Sequence, residues 1–116
     1  MTMLVIENPK VVRKIEESIP VIIKSGEYLI GANYALWAVK NEADKIKAIV
    51  IASNPPPNFL NRLKAYLDNV DRKIPVIKLT KSNVELGDLA RKPFSISCIT
   101  IYDFGNAPIN ENDLHI

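Results

Sequence analysis

Three short stretches carry residue types that suit contact with a phosphate backbone and unstacked bases. They are Gly31-Ala32-Asn33, Ser53-Asn54-Pro55 and the six residues Arg91-Lys92-Pro93-Phe94-Ser95-Ile96. Glycine lets another backbone approach closely, and the free N–H groups at a helix start can face a phosphate. Side-chain amides read base edges, cations hold phosphates, and apolar side chains support splayed bases. Each stretch also has a plainer reading. Asn33 can cap a helix, Asn54 can serve a turn before prolines, and Phe94 can fold back onto a core. Their combination favours binding, because all three stretches sit at element ends expected on one edge of a sheet.

Residues that could do catalytic chemistry are sparse. Neither G-x-G-x-x-G nor a P-loop is present, and Gly31 stands alone after its strand. The single His115 is one residue from the C-terminus with no nucleophile beside it, and reads as a solvated tail residue. The single Cys98 lies within an apolar run, so a buried, inert thiol is expected and no disulfide within the chain is possible. Glu16-Glu17 and the Glu42/Asp44 pair read as solvated helix faces and ends. One cysteine and one histidine do not make a zinc site, so neither a metal nor another cofactor is expected, nor an enzyme.

Composition sets the frame that must position these residues. With 116 residues, 47% apolar and 24% charged, the chain is expected to form one globular domain over 1–107, followed by a loose polar tail over 108–116. The net charge of +2 neither favours nor excludes nucleic acid, since the placement of charges decides binding. No apolar stretch approaches the roughly 20 residues that cross a bilayer, and the start lacks the basic-then-apolar order of a signal peptide. No membrane partner and a cytoplasmic location are expected.

Punctuation and period divide the chain. Asn8-Pro9 starts a helix with Val11, Val12, Ile15 and Ile19 on one face, which Pro20 is expected to break or kink before a further turn over Val21–Lys24 closed by Gly26. Tyr28-Leu29-Ile30 reads as a strand, and Asn33 caps a helix running to Asn41. Ala48 to Ala52 is apolar at every position, as in a central strand covered on both sides. Pro55-Pro56-Pro57 opens a third helix with Phe59, Leu60, Leu63, Leu67 and Val70 on one face. Pro75 to Leu79 is a strand, Ser82 and Glu85 form a capping box, and Ile96 to Tyr102 is the last strand. Helices alternating with strands predict an α/β fold, a three-layer α/β/α sandwich.

The residues also carry a resemblance. Lys24-Ser25-Gly26 with Tyr28 to Gly31, Ala48 to Asn54, Ser82 to Gly87, Lys92-Pro93-Phe94 and Ile101 to Gly105 run in order. Together they resemble large-subunit ribosomal protein thirty of archaea and eukaryotes, within the superfamily of kink-turn RNA-binding proteins. The N-x-E-L-G element followed by K-P-F is the specific part. The resemblance implies a small mixed sheet of four strands and binding to a kinked internal loop of large-subunit rRNA with tandem sheared G·A pairs. It also implies neighbouring ribosomal proteins as partners. By position, Gly31, Ala32 and Asn33 approach the kinked strand, and Asn54 contacts a base edge or the backbone. Phe94 with Ile96 supports a base turned out of its stack, while Arg91 and Lys92 lie near phosphates. A β-branched side chain at Gly31 is then expected to spare the fold and hold RNA away.

Departures from the pattern are as informative. Trp37 stands where the family usually has a lysine, Tyr34 where relatives in the superfamily have glutamate, and Ser95 where an arginine is common. Losing two cations weakens the salt-sensitive part of binding. Trp37 either stacks on a base or sugar, as an RNA-binding residue, or packs inward. Two alternatives stay open, a kink-turn protein of another ribonucleoprotein and a protein–protein adaptor on the same fold.

Overall fold

All four residues Ala48-Ile49-Val50-Ile51 are buried, and they form the middle strand of the sheet. The computed structural model describes residues 5–109 and 111–114, so His115 and its expected solvation lie outside them. In chain order the elements are β1 (Val5–Ile6), α1 (Pro9–Ser25), β2 (Glu27–Ile30), α2 (Ala32–Glu42), β3 (Ala48–Ile51), α3 (Phe59–Leu67), β4 (Val76–Lys78), α4 (Asn83–Leu89) and β5 (Cys98–Asp103). Short 3-10 turns occupy Ala43–Lys45 and Glu111–Leu114.

The strands lie in the order β1-β4-β3-β5-β2. β1, β4 and β3 run parallel, whereas β5 is antiparallel to both β3 and β2. Alternation along β3 separates two apolar layers. Ala48 and Val50 face α1 and α4, packing with Ile15, Ile19, Ile22 and Leu86. Ile49 and Ile51 face α2 and α3, packing with Leu36, Val39, Phe59 and Leu63. This is the expected α/β/α arrangement, with five strands in place of four. The additional strand is β1, whose two residues pair as Val5↔Val76 and Ile6↔Ile77 and are too few to show a period.

Four local expectations need correction. α1 passes through Pro20 without ending, although Pro20 has no N–H to give the Glu16 carbonyl. The buried Ile15, Ile19 and Ile22 on either side hold the helix by packing, which outweighs the missing bond. Asn33 lies inside α2, whose N-cap is Gly31 with φ 118 and ψ 150. The three prolines precede α3 and do not open it, since a residue before proline is pushed toward extended backbone; Asn58 with φ 64 is the N-cap. Finally, the segment beyond 107 is not simply loose. Ile109 and Leu114 are buried against α1, and Lys14 Nζ lies 3.1 Å from Asp113 Oδ1.

Candidate nucleic-acid interface

Hydrogen bonds between strand ends tie the three stretches to one edge. The Gly31 N–H donates to the Cys98 carbonyl (2.8 Å), and the Ala52 N–H donates to the Ser97 carbonyl (2.9 Å). Asn54 leaves β3 and reaches α4. Its Oδ1 accepts from the Asn83 N–H (2.7 Å), and its Nδ2 donates to Asn83 Oδ1 (3.0 Å). The Asn83 carbonyl in turn accepts from the Ile96 N–H (2.9 Å). Asn54 therefore supplies a capping bond at the start of α4 and positions the third stretch through Asn83.

The loop carrying Phe94 is set by both ends of α4. At its start, Ser82 Oγ accepts from the Glu85 N–H (3.2 Å) while Glu85 Oε1 accepts from the Ser82 N–H (3.0 Å), the reciprocal pair expected of the capping box. These bonds hold the Glu85 carboxyl below its usual range, the Ser82 backbone N–H contributing most. At its end, Arg91 takes a left-handed φ of 59, with its N–H on the Asp88 carbonyl (3.0 Å) and the Lys92 N–H on the Gly87 carbonyl (3.0 Å). That is a Schellman closure with arginine where glycine is usual. Gly87 then accepts the returning chain, and a Cβ there would overlap the Phe94 carbonyl. This close approach is the physical content of N-x-E-L-G followed by K-P-F.

A hollow of about 570 Å3 opens at this edge. Gly31, Ala32 and Asn33 line one side, while Phe94, Ser95 and Ile96 line another, so the first and third stretches meet as expected. Phe94 is 54% exposed, whereas Ile96 is 1% exposed and belongs to the core beneath it. Ile96 thus backs the hollow and offers no open face to a base. Gly31 combines its φ of 118 with open space, since an added Cβ would meet only the Tyr34 ring, at 3.7 Å. This backbone region is essentially restricted to glycine. A β-branched residue at Gly31 therefore strains the chain as well as obstructing the hollow, contrary to the expectation of an unaffected fold.

Arg91 and Lys92 flank the Phe94 loop outside the lining, as does Asn54. Trp37 is 49% exposed, one helical turn beyond Asn33, and does not turn into the core. Four residues of the lining are not marked as contacts by the sequence: Tyr34, which is 59% exposed, Pro56, Pro57 and Arg62. Arg62 had a usable signal, since it falls three positions after buried Phe59 and so near the start of α3. Elsewhere, Cys98 is fully buried and burial pushes its thiol up. Glu16, on the solvated face of α1, accepts from the Thr80 N–H (3.1 Å) and Oγ1 (2.8 Å), which ties α1 to the loop after β4. Glu42 accepts from the Tyr102 hydroxyl (3.0 Å), and burial followed by this bond pushes that phenol up to about 12. Among the described residues no group of three His, Cys, Asp or Glu side chains is placed to hold a metal.

Known proteins share these features. Large ribosomal subunit protein eL30 of Archaeoglobus fulgidus is 36% identical over 88 residues, covering 76% of this chain and 93% of the relative. The eL30 proteins of Methanosarcina mazei and Zea mays are each 30% identical over 95 residues, covering 82% of this chain and 84% and 81% of themselves. Among solved structures, the Giardia lamblia 15.5kD RNA binding protein matches with a TM-score of 0.65 at 18% identity, over 92% of this chain and 83% of that one, which shows a shared fold. A family model spans residues 13–111, which takes in most of α1, every later element through β5 and all three stretches of the edge. With relatives at this identity over most of its length, the chain belongs to the ribosomal protein L7Ae/L30e/S12e/Gadd45 family.

Proposed function

We propose that this protein is a structural constituent of the large ribosomal subunit that binds a kinked internal loop of rRNA through the Gly31–Phe94 edge. The relatives named as large ribosomal subunit protein eL30 support the ribosomal role. The observation that carries RNA binding is the half-exposed Phe94 ring, held by Gly87 and facing the glycine-led start of α2 across one hollow. A large ring kept in water by a tight backbone contact suits a base turned out of its stack. A kinked strand with sheared G·A pairs presents such a base beside a sharply turned backbone, and Gly31 leaves room for that backbone. Residence on cytoplasmic ribosomes, beside other ribosomal proteins, follows from the same reading. Among the described residues no helix is long and apolar enough to cross a membrane.

Titration with two synthetic RNAs tests this. One carries an internal loop with tandem G·A pairs, and the other has that loop replaced by Watson–Crick pairs. Preference of at least tenfold for the looped RNA is expected, because the straight duplex offers only phosphates and grooves. Equal affinity for both would reject a kink-specific site.

A further inference from the structure

The hollow has a second wall, built from Tyr34 on α2 and Arg62 on α3. Among the described residues of the lining, Arg62 alone carries a side-chain charge at neutral pH, and none is a carboxylate. It is exposed, and among the described residues its guanidinium makes no ion pair or hydrogen bond. By contrast Arg72, also reached from the α2–α3 side, is spent on the Ala43 and Ile46 carbonyls at 2.8 and 2.6 Å. A free cation in a hollow without acids favours an anion. Tyr34, 59% exposed, lines the same hollow as Arg62 and Phe94. An aromatic ring and a guanidinium together match the two parts of a nucleotide, base and phosphate.

We infer that Tyr34 and Arg62 form a second nucleotide subsite, in which the Tyr34 ring stacks on a base and the Arg62 guanidinium holds the adjoining phosphate of single-stranded RNA. The inference rests on the RNA reading of the Phe94 edge and adds a nucleotide to it. Helix geometry allows both contacts. Tyr34 is in the first turn of α2 and Arg62 in the first turn of α3, so both project from helix starts near the sheet edge.

The two halves separate by salt. One phosphate contact adds roughly 0.7–0.9 to the slope of log affinity against log salt. Arg62→Gln should therefore weaken binding of the looped RNA, with a loss roughly threefold smaller at about 200 mM salt than at about 50 mM. Arg62→Lys should retain most of the slope. Tyr34→Ala should weaken binding by about 5- to 150-fold at both salts, the range for loss of one stacked base, while Tyr34→Phe binds like the parent. Urea unfolding of each variant confirms that it is folded at the titration temperature. Phe94→Ala, measured in parallel, reports on the underlying reading. If Phe94→Ala weakens binding while Arg62→Gln and Tyr34→Ala change neither affinity nor slope, the second subsite is rejected and the first stands. If the parent protein does not bind the looped RNA, both fall.

Discussion

Phe94 is where side-chain exposure and backbone constraint meet most directly. A phenylalanine presents about 200 Å2, and the 54% exposed ring leaves about half of that in water. At roughly 25 cal/mol per Å2 a partner covering that surface recovers about 2–3 kcal/mol, the same size as a stacked base at about 1–3 kcal/mol. Phe94→Ala should accordingly lower unfolding free energy by well under the roughly 3–5 kcal/mol of a buried phenylalanine. It should weaken binding to the looped RNA by about 1–3 kcal/mol at both low and high salt, since stacking releases no counterions. Urea melts with paired titrations check both. Arg91 gives the opposite pattern. Its left-handed φ of 59 costs roughly 1–2 kcal/mol, so Arg91→Gly should stabilise the fold by about 0.5–1 kcal/mol after the added freedom of the unfolded chain is counted. The same change should weaken RNA binding more at low salt, as expected where a cation beside RNA is kept in place of the glycine that suits the turn. At this scale the sequence showed which residue types matter and not their orientation. Ile96 and Phe94 are two residues apart, yet one is core and the other surface, because the strand that follows takes Ile96 inward. Tyr34 and Arg62 come together only through the packing of α2 on α3, which no local pattern reveals.

The helix that carries this loop was read well from local chemistry. The capping box of α4 needs only Ser82 and Glu85 three apart, and both reciprocal bonds form. The pH dependence of that box has a definite sign. Glu85 titrates lower in the folded chain than its ordinary 4.5, so its contribution is present above that value and is lost as pH falls through the folded pKa. Unfolding free energies of the parent and Glu85→Gln should therefore differ at about pH 6 and converge toward about pH 3. A constant difference would show that the carboxylate charge plays no part. Gly87 sets where the loop sits. Gly87→Ala should destabilise by roughly 1–3 kcal/mol, because the new Cβ forces the Phe94 backbone away, and should weaken RNA binding even where the protein stays folded. In other elements the surrounding structure overrides a local rule. Pro20 did not stop α1 because buried isoleucines flank it, and Asn33 did not cap α2 because Gly31 reaches a φ that asparagine does not.

For the whole molecule, alternating elements and the all-apolar Ala48–Ile51 run were enough to read three layers around a central strand, whereas the two-residue β1 left no periodic trace. The gathering of three distant stretches was also legible, because chain ends leaving neighbouring strands must lie together once β3 and β5 pair. What the sequence withheld was the shape of that gathering: one hollow between Gly31 and Phe94, with Asn54 bracing α4 from outside its lining. In the proposed function this edge, and no other surface, meets RNA. Backbone amide chemical shifts recorded during titration with the looped RNA test it most directly. Shifts should concentrate at residues 30–37, 56–62 and 91–97, leaving the outer face of α1 and the groove between Lys40 and Arg72 unmoved. Shifts confined to α1 or to that groove, with Phe94 and Gly31 unmoved at saturation, would contradict it.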